Sequence, residues 1–185
     1  MIALILNSGL GKRMGVLTSE HPKCMTEISC GETILSRQLD ELKGAGIEKV
    51  VVTTGLFDDV LTEYCRFLDT GLDISFVKNP LYDKTNYIYS IYCARDLLKD
   101  DDILLMHGDL VFENSVLDAV IGADTSVMTV SSTAPLPEKD FKAVVDGDRI
   151  TAVGIEFFDN ALTAQPLYKL KKDDWKVWLD RIVEF

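Results

Sequence analysis

The sequence predicts an α/β fold: a single three-layer α/β/α sandwich over residues 1–185, built on a mixed but mainly parallel sheet. Two observations carry this. Short apolar runs recur along the chain, and segments with helical spacing stand between them. Strands that alternate with helices need crossover connections, which make the strands parallel and put helices on both faces. In addition, the first run, Ile2 to Leu6, is apolar at every position, the pattern of a strand buried on both faces.

The elements follow in order. A polar, glycine-bearing stretch runs from Asn7 to Pro22. Ile34, Leu35, Leu39 and Leu42 then have helical spacing, and Lys43-Gly44-Ala45-Gly46 supplies a cation in the last turn with glycine beyond it, as helix ends do. Lys49 to Thr54 is a second buried strand, Asp58 to Leu68 a helix and Ile74 to Val77 a third strand. A helix is expected over Asn86 to Leu98, with Asn86 as its N-cap. Ile103 to Met106 is a fourth strand, Ser115 to Ile121 a short helix and Ser126 to Val130 strand-like. After Pro135, Ala143 to Val145 and Ile150 to Ile155 flank Gly147-Asp148, a hairpin turn. Asp173 to Val183 has Trp175, Trp178, Leu179 and Ile182 on one helical stripe. No repeat, low-complexity segment or linker interrupts the chain.

Composition narrows the function. A chain of 185 residues is one domain's length and needs no metal or disulfide staple. Lys and Arg number 19 against 30 Asp and Glu, a net charge of −11, which argues against nucleic acid or an anionic membrane as partner. Cys24, Cys30, Cys65 and Cys93 have no CxxC spacing and read as buried thiols of a reducing compartment. No apolar run approaches the ~18 residues of a membrane span, and the chain opens directly on a strand. A cytoplasmic protein is expected.

Four motifs carry chemistry. The first is Leu6-Asn7-Ser8-Gly9-Leu10-Gly11-Lys12-Arg13-Met14-Gly15, directly after the first strand. Gly9 and Gly11 permit positive φ and close backbone approach, successive N–H groups form an anion nest, and Lys12 and Arg13 add charge. Up to Met25 there are three cations (Lys12, Arg13, Lys23) against Glu20 alone, contrary to the overall balance. A phosphate cradle is favoured over an ordinary turn. A P-loop needs Ser or Thr where Arg13 stands. A dinucleotide fingerprint needs glycine where Met14 stands and an acid at the end of the second strand, which closes on Thr53-Thr54.

The second motif is His21-Pro22-Lys23, in which a fixed proline φ presents Lys23 at a defined angle near the anion loop. The third is Asn79-Pro80-Leu81-Tyr82 and Asn86-Tyr87-Ile88-Tyr89-Ser90-Ile91-Tyr92. Asn86 and Ser90 share a helix face and could read a base or ribose, or Asn86 could simply cap the helix. The fourth is His107-Gly108-Asp109, a carboxylate at a strand end with room beside it, suited to Mg²⁺. His107 reads as a packed strand-end residue.

Together these pieces resemble the nucleotidyltransferase superfamily with its GT-A-like (Rossmann-like) fold. The opening is similar to that family's L-x-x-G-x-G-x-R-[ML] signature followed by P-K. Asn79-Pro80-x-Tyr82, Asn86-x-Ile88-Tyr89-Ser90-x-Tyr92-x-Ala94-Arg95-Asp96 and Gly108-Asp109 look like the branch of bacterial CTP:phosphocholine cytidylyltransferases. The resemblance implies an NTP, CTP first, lying over Leu6 to Arg13, with Arg13 on the leaving pyrophosphate and Asn86 and Ser90 on the nucleoside. It implies Lys23 near the α-phosphate, Mg²⁺ on Asp109 and Lys142 on the phosphate of a small acceptor. Relatives use a second metal-binding carboxylate beyond a helix like Asp173 to Val183. The sequence ends at Phe185, so a C-terminal segment of the relatives is expected to be missing; Asp159 and Asp173 are conceivable substitutes.

For the acceptor, Tyr82, Tyr87, Tyr89 and Tyr92 suggest aromatic faces for a cationic phosphate or phosphonate, phosphocholine first. Tyr87 and Tyr89 cannot share one face, so Tyr82 with Tyr89 or Tyr92 is expected to form the cage. The alternatives are a sugar- or polyol-phosphate nucleotidyltransferase and a nucleotide-binding regulatory module without transfer activity.

Overall fold

Strand β1 (Ile2–Leu6) runs through the centre of the computed structural model, which describes residues 1–183 except the side chains of Lys12, Arg13 and Val183. All five of its residues are buried. The two-residue period sends Ala3 and Ile5 into one apolar cluster and Ile2, Leu4 and Leu6 into another. After β1 come two 3-10 helices, Lys12–Thr18 and Lys23–Met25, then a small hairpin of β2 (Glu27–Ser29) and β3 (Glu32–Thr33), and α1 (Ile34–Gly44). Thr33 and Ser36 cap α1 reciprocally: Ser36 N–H donates to Thr33 Oγ1 at 3.1 Å and Thr33 N–H to Ser36 Oγ at 2.9 Å. β4 (Lys49–Thr54), α2 (Asp58–Leu68), β5 (Asp73–Lys78), α3 (Tyr87–Leu98) and β6 (Ile103–His107) alternate as expected. α4 (Asn114–Gly122), β7 (Val127–Ser131), β8 (Lys142–Asp146), β9 (Arg149–Gly154), β10 (Ala161–Leu170) and α5 (Lys172–Val183) follow.

The sheet order is β5-β4-β1-β6-β10-β8-β9, with β7 also paired to β10. The first four strands are parallel, and Ile2 is in register with Lys49 on one side and Ile103 on the other. α1, α2 and α4 cover one face through Leu35, Leu39, Leu42, Leu61, Leu117 and Val120. α3 and α5 cover the other through Ile91, Ala94, Leu98, Trp175, Leu179 and Ile182. This is the expected three-layer α/β/α sandwich with a mixed sheet.

Two strand features were not expected. One is the β2–β3 hairpin. The other is β10, which joins the two halves of the sheet. Its last residues pair antiparallel with β6, its first with β8, and β7 runs along it with a register shift between Ala164 and Tyr168. Pro166 lies within that shift. A proline has no N–H for a ladder, so an irregularity is where a sheet tolerates it. The β8–β9 hairpin forms as expected, with Gly147 at φ 62. Of the cysteines, Cys24 and Cys65 are buried, Cys93 is partly buried and Cys30 is exposed; the expectation of four buried thiols fails at Cys30, which sits in the β2–β3 turn. No described helix is long and apolar enough to cross a membrane.

Connectivity fixes where a cleft can open. From β1 the chain moves outward through β4 to β5, then crosses back over β1 to lay down β6 on its other side. The crossovers before β4 and β5 lie on one face and that before β6 on the opposite face. The crevice between the C-terminal ends of β1 and β6 is therefore the point where strand order reverses, the place open α/β sheets bind ligands.

Trp175 is fully buried between α5 and the sheet, against Trp178 at 4.9 Å between ring centroids. Trp175→Ala is expected to lower the unfolding free energy by about 3–5 kcal/mol in urea melts. Trp175→Phe is expected to cost much less, because the ring is kept and an indole N–H without a partner is removed.

Candidate active site

A cleft opens at that reversal point. One wall is the end of β1, Leu6 to Gly9; the opposite wall is His107 and Asp109 after β6. Asn79, Tyr82, Thr85, Asn86 and Tyr87, between β5 and α3, form the third side, and Lys23 closes the fourth.

The two strand-end loops nearly touch. A Cβ on Gly108 would lie 1.6 Å from Asn7 Oδ1, and one on Gly55 would lie 2.5 Å from the carbonyl oxygen of Ser8. At position 55 the obstacle is backbone and glycine is a steric requirement; at 108 a side chain would have to displace the Asn7 amide. Behind the β6 loop, Gln38 of α1 is 1% exposed and donates from Nε2 to the carbonyls of His107 at 3.0 Å and Leu110 at 2.7 Å. That pair of bonds holds the turn bearing Asp109. Nothing in the sequence singles out Gln38, because a polar residue on a helix face has no motif around it.

Lys23 Nζ donates to Asp109 Oδ2 at 2.9 Å across the cleft. Burial pushes the Asp109 carboxyl up, but the Lys23 hydrogen bond and charge, with His107 adding to them, outweigh it and hold the group below the usual carboxylate range. Burial holds His107 below the usual histidine value, so its ring is neutral at pH 7. The carboxylate at the cleft mouth is thus anionic and already faces a cation. That donor chemistry fits a hard divalent ion. Among the described residues no group of three or more acidic, His or Cys side chains could hold a metal alone.

The residues singled out in the sequence fall into three sets. Leu6, Asn7, Ser8, Gly9, Lys23, Tyr82, Asn86 and Asp109 all line the cleft. Gly11 takes φ 65 at the start of the first 3-10 helix, whereas Gly9 needs no positive φ and has no atom within 4 Å of where its Cβ would be. Asn86 also caps α3, accepting from Ile88 N–H at 2.9 Å. The side chains of Lys12 and Arg13 lie outside the described residues.

The remaining residues sit elsewhere. Ser90 is fully buried beneath the cleft wall, bonded to Ser8 and Asn79, rather than exposed to a nucleoside. Tyr89 and Tyr92 stack on each other at 5.6 Å, with Arg95 4.1 Å from the Tyr92 ring, and neither reaches the cleft. Tyr87 takes the place expected of them, with its ring 5.4 Å from His107 and 6.2 Å from Phe141. Position along the helix decides this: Tyr87 stands in the first turn of α3, at the cleft, while Tyr92 lies further along and packs against the apolar cluster beneath the helix. Lys142 is fully buried, with Nζ donating to the carbonyls of Pro137 at 2.5 Å and Asp140 at 3.2 Å and lying 4.2 Å from the Phe158 ring. Its protons are committed to the protein, and it is absent from the cleft wall. Asp159 and Asp173 do not line the cleft either.

Comparison with known proteins accords with this site. The chain is 34% identical over 147 residues to the CMP-5'-(3-aminopropyl)phosphonate synthase of Streptomyces rubellomurinus, covering 78% of this chain and 23% of that protein. It is 32% identical over 135 residues to the CTP:phosphoglutamine cytidylyltransferase of Campylobacter jejuni, covering 70% and 52%. The chain thus spans about half or less of the length of these relatives. The CTP:phosphocholine cytidylyltransferase of Streptococcus pneumoniae superposes with a TM-score of 0.69 at 17% identity, over 99% of this chain and 76% of that one, and so shares the fold. The model of the MobA-like NTP transferase domain matches residues 3–137, a span that holds the glycine loop, Lys23, the Asn79–Tyr92 segment and Asp109. The resemblance read from those motifs is borne out, and the chain belongs to the family of MobA-like NTP transferase domains.

Proposed function

We propose that this chain transfers a cytidylyl group from CTP to a small phosphomonoester or phosphonate and releases pyrophosphate. The observation that carries the proposal is the Lys23–Asp109 pair facing the glycine loop across the β1–β6 crevice. Such a pair would bring one cation and one carboxylate close to the reactive phosphorus of a triphosphate lying on that loop. The Streptomyces and Campylobacter relatives, named for cytidylyl chemistry, support the same base.

In this reading the backbone from Gly9 to Arg13 binds the triphosphate, and Arg13 acts on the β- and γ-phosphates. Asn7 and Ser8 donate to the nucleotide from the cleft wall. Lys23 leaves Asp109 for a phosphate oxygen and neutralises charge at the α-phosphate. Asp109 would hold magnesium, whose charge would offset that of the phosphates. An acceptor oxygen forms the new bond to the α-phosphorus. The bond from that phosphorus to the bridging oxygen breaks, and its electron pair leaves with pyrophosphate. The attacking oxygen is already anionic, so no general base is required. The protein's contribution is orientation and electrostatics.

Tyr82, Tyr87 and the neutral His107 form the wall open to an acceptor. Two aromatic faces suit an ammonium group, by ~0.5–2 kcal/mol each. The aminopropylphosphonate named for the Streptomyces relative carries such a group. The acceptor proposed is therefore a cationic phosphate or phosphonate, phosphocholine or an aminoalkylphosphonate.

Three measurements test this reading. Pyrophosphate release from CTP should be faster, by kcat/KM, with phosphocholine, phosphoethanolamine or aminoethylphosphonate than with glucose 1-phosphate; a preference for glucose 1-phosphate would reject the cationic acceptor. Asp109→Ala should abolish metal-dependent turnover while Tm stays within a few degrees of wild type, and near-normal turnover would remove Asp109 from the metal site. Lys23→Ala should lower kcat and kcat/KM together by about a hundredfold, the loss expected for a contact made to developing charge. A change confined to the KM for CTP would reduce Lys23 to a docking residue.

A further inference from the structure

Beneath the cleft wall runs a chain of hydrogen bonds whose direction can be assigned from one end. It begins at a group that can only donate, the backbone N–H of Leu81, which reaches Asn79 Oδ1 at 2.8 Å. That bond fixes which end of the Asn79 amide is oxygen, so Nδ2 is the end that faces Ser90 Oγ at 3.0 Å and Thr85 Oγ1 at 3.1 Å. Thr85 gives its single proton to the carbonyl of Leu81 at 2.7 Å, and so accepts from Asn79. Ser90 likewise accepts from Asn79. The other partner of Ser90 Oγ is Ser8 Oγ, at 2.5 Å. Ser90 and Asn79 are 0% and 1% exposed, so water does not compete for these groups. The proton of Ser90 therefore goes to Ser8, and the proton of Ser8 is left over.

Ser8 lines the cleft and Ser90 does not. Beside Ser8, Asn7 Nδ2 is a second buried donor on the same wall, without a partner in the protein. A buried unmatched donor costs free energy unless a ligand meets it. We propose that Asn79 and Ser90 are positioning residues that hold Ser8 as a one-way hydrogen-bond donor, aimed with Asn7 at an acceptor oxygen of the bound nucleotide. This role rests on the reading that the cleft holds a nucleoside triphosphate. It assigns to Ser90 a part in nucleotide binding without contact. It also makes the Asn79 segment and the Ser8 loop one unit, so that the wall bearing Tyr82 and the wall bearing Ser8 are set together.

Calorimetric titration of the whole chain with CTP in magnesium buffer tests the relay, using Ser8→Ala, Ser90→Ala and the double variant, with Tm followed for each. Ser8→Ala is expected to raise Kd about tenfold and Ser90→Ala about three- to tenfold, as for single hydrogen bonds. The double variant should be no more than twofold weaker than Ser8→Ala, because both changes remove one interaction. A merely structural Ser90 would change Tm and leave the two Kd effects multiplicative. Ser90→Cys, nearly isosteric and a poor donor, should show the same loss and serves if Ser90→Ala does not fold. The relay is overturned if the single losses multiply, if Ser8→Ala binds as wild type does, or if the Ser90 variants do. Failure of wild type to bind any of the four NTPs would overturn the nucleotide reading itself, and the relay with it.

Discussion

The close approach of the loops after β1 and β6 governs everything at the cleft. Parallel neighbours in register bring the two strand ends level, and Gly108 lets Asn7 lie where a side chain would otherwise stand. The chain then has little freedom. Gln38 pins the β6 turn from the α1 face, and Ser90 pins the β1 loop from the α3 face. One helix from each outer layer thus reaches the sheet edge with a buried polar group. Ser90 Oγ and Gln38 Nε2 are hydrogen-bonded, which offsets most of the cost of polar groups in a core otherwise made of aliphatic side chains.

How far the sequence could be read follows from the length of its signals. β1, β4 and β6 were legible because a strand buried on both faces is apolar at every position, and α3 because Asn86 announces its start. β10 was not legible. Gln165-Pro166 breaks its pattern, and its pairing is set by three different partners, none near it in sequence. At the site, Lys23 and Asp109 were legible as separate motifs, but their bond spans 86 residues and belongs to the fold. The tyrosines show the opposite limit. Four in one segment signalled aromatic lining, yet only the placement of α3 in the fold brings Tyr87 to the cleft and leaves Tyr89 and Tyr92 outside it. Lys142 was assigned to the acceptor phosphate from the resemblance alone, and its surroundings, two carbonyls and the Phe158 ring, belong to the fold and have no signal in the local sequence.

Charge bears on how such a site can work at all. The chain carries −11, and a nucleoside triphosphate is itself strongly anionic. Exposed charges are screened beyond a Debye length of about 8 Å at physiological ionic strength, so the distant carboxylates weigh little at the cleft. Within it, Lys23 and Asp109 cancel, and His107 and the tyrosines are neutral. In the proposed reading, the attraction for phosphate then rests on the backbone donors of the glycine loop and on Ser8 and Asn7.

That balance also explains why a paired lysine need not be a wasted one. In the proposed reaction Lys23 exchanges a carboxylate for a phosphate oxygen, and Asp109 exchanges an ammonium for a metal ion. One ion pair is lost and two are gained, so each side chain keeps a counter-charge throughout. The Lys23 and Asp109 side chains keep 24% and 41% of their surface exposed, so the pair itself adds little to stability and its partners exchange at small cost. The resting pair also keeps the turn around Asp109 in the shape that Gln38 holds. The same region accounts for the glycine at 108: a Cβ there would meet the side-chain amide of Asn7. The exchange of partners then requires the movement of one flexible lysine side chain, while the carboxylate, the donors and both strand ends stay where the sheet has placed them.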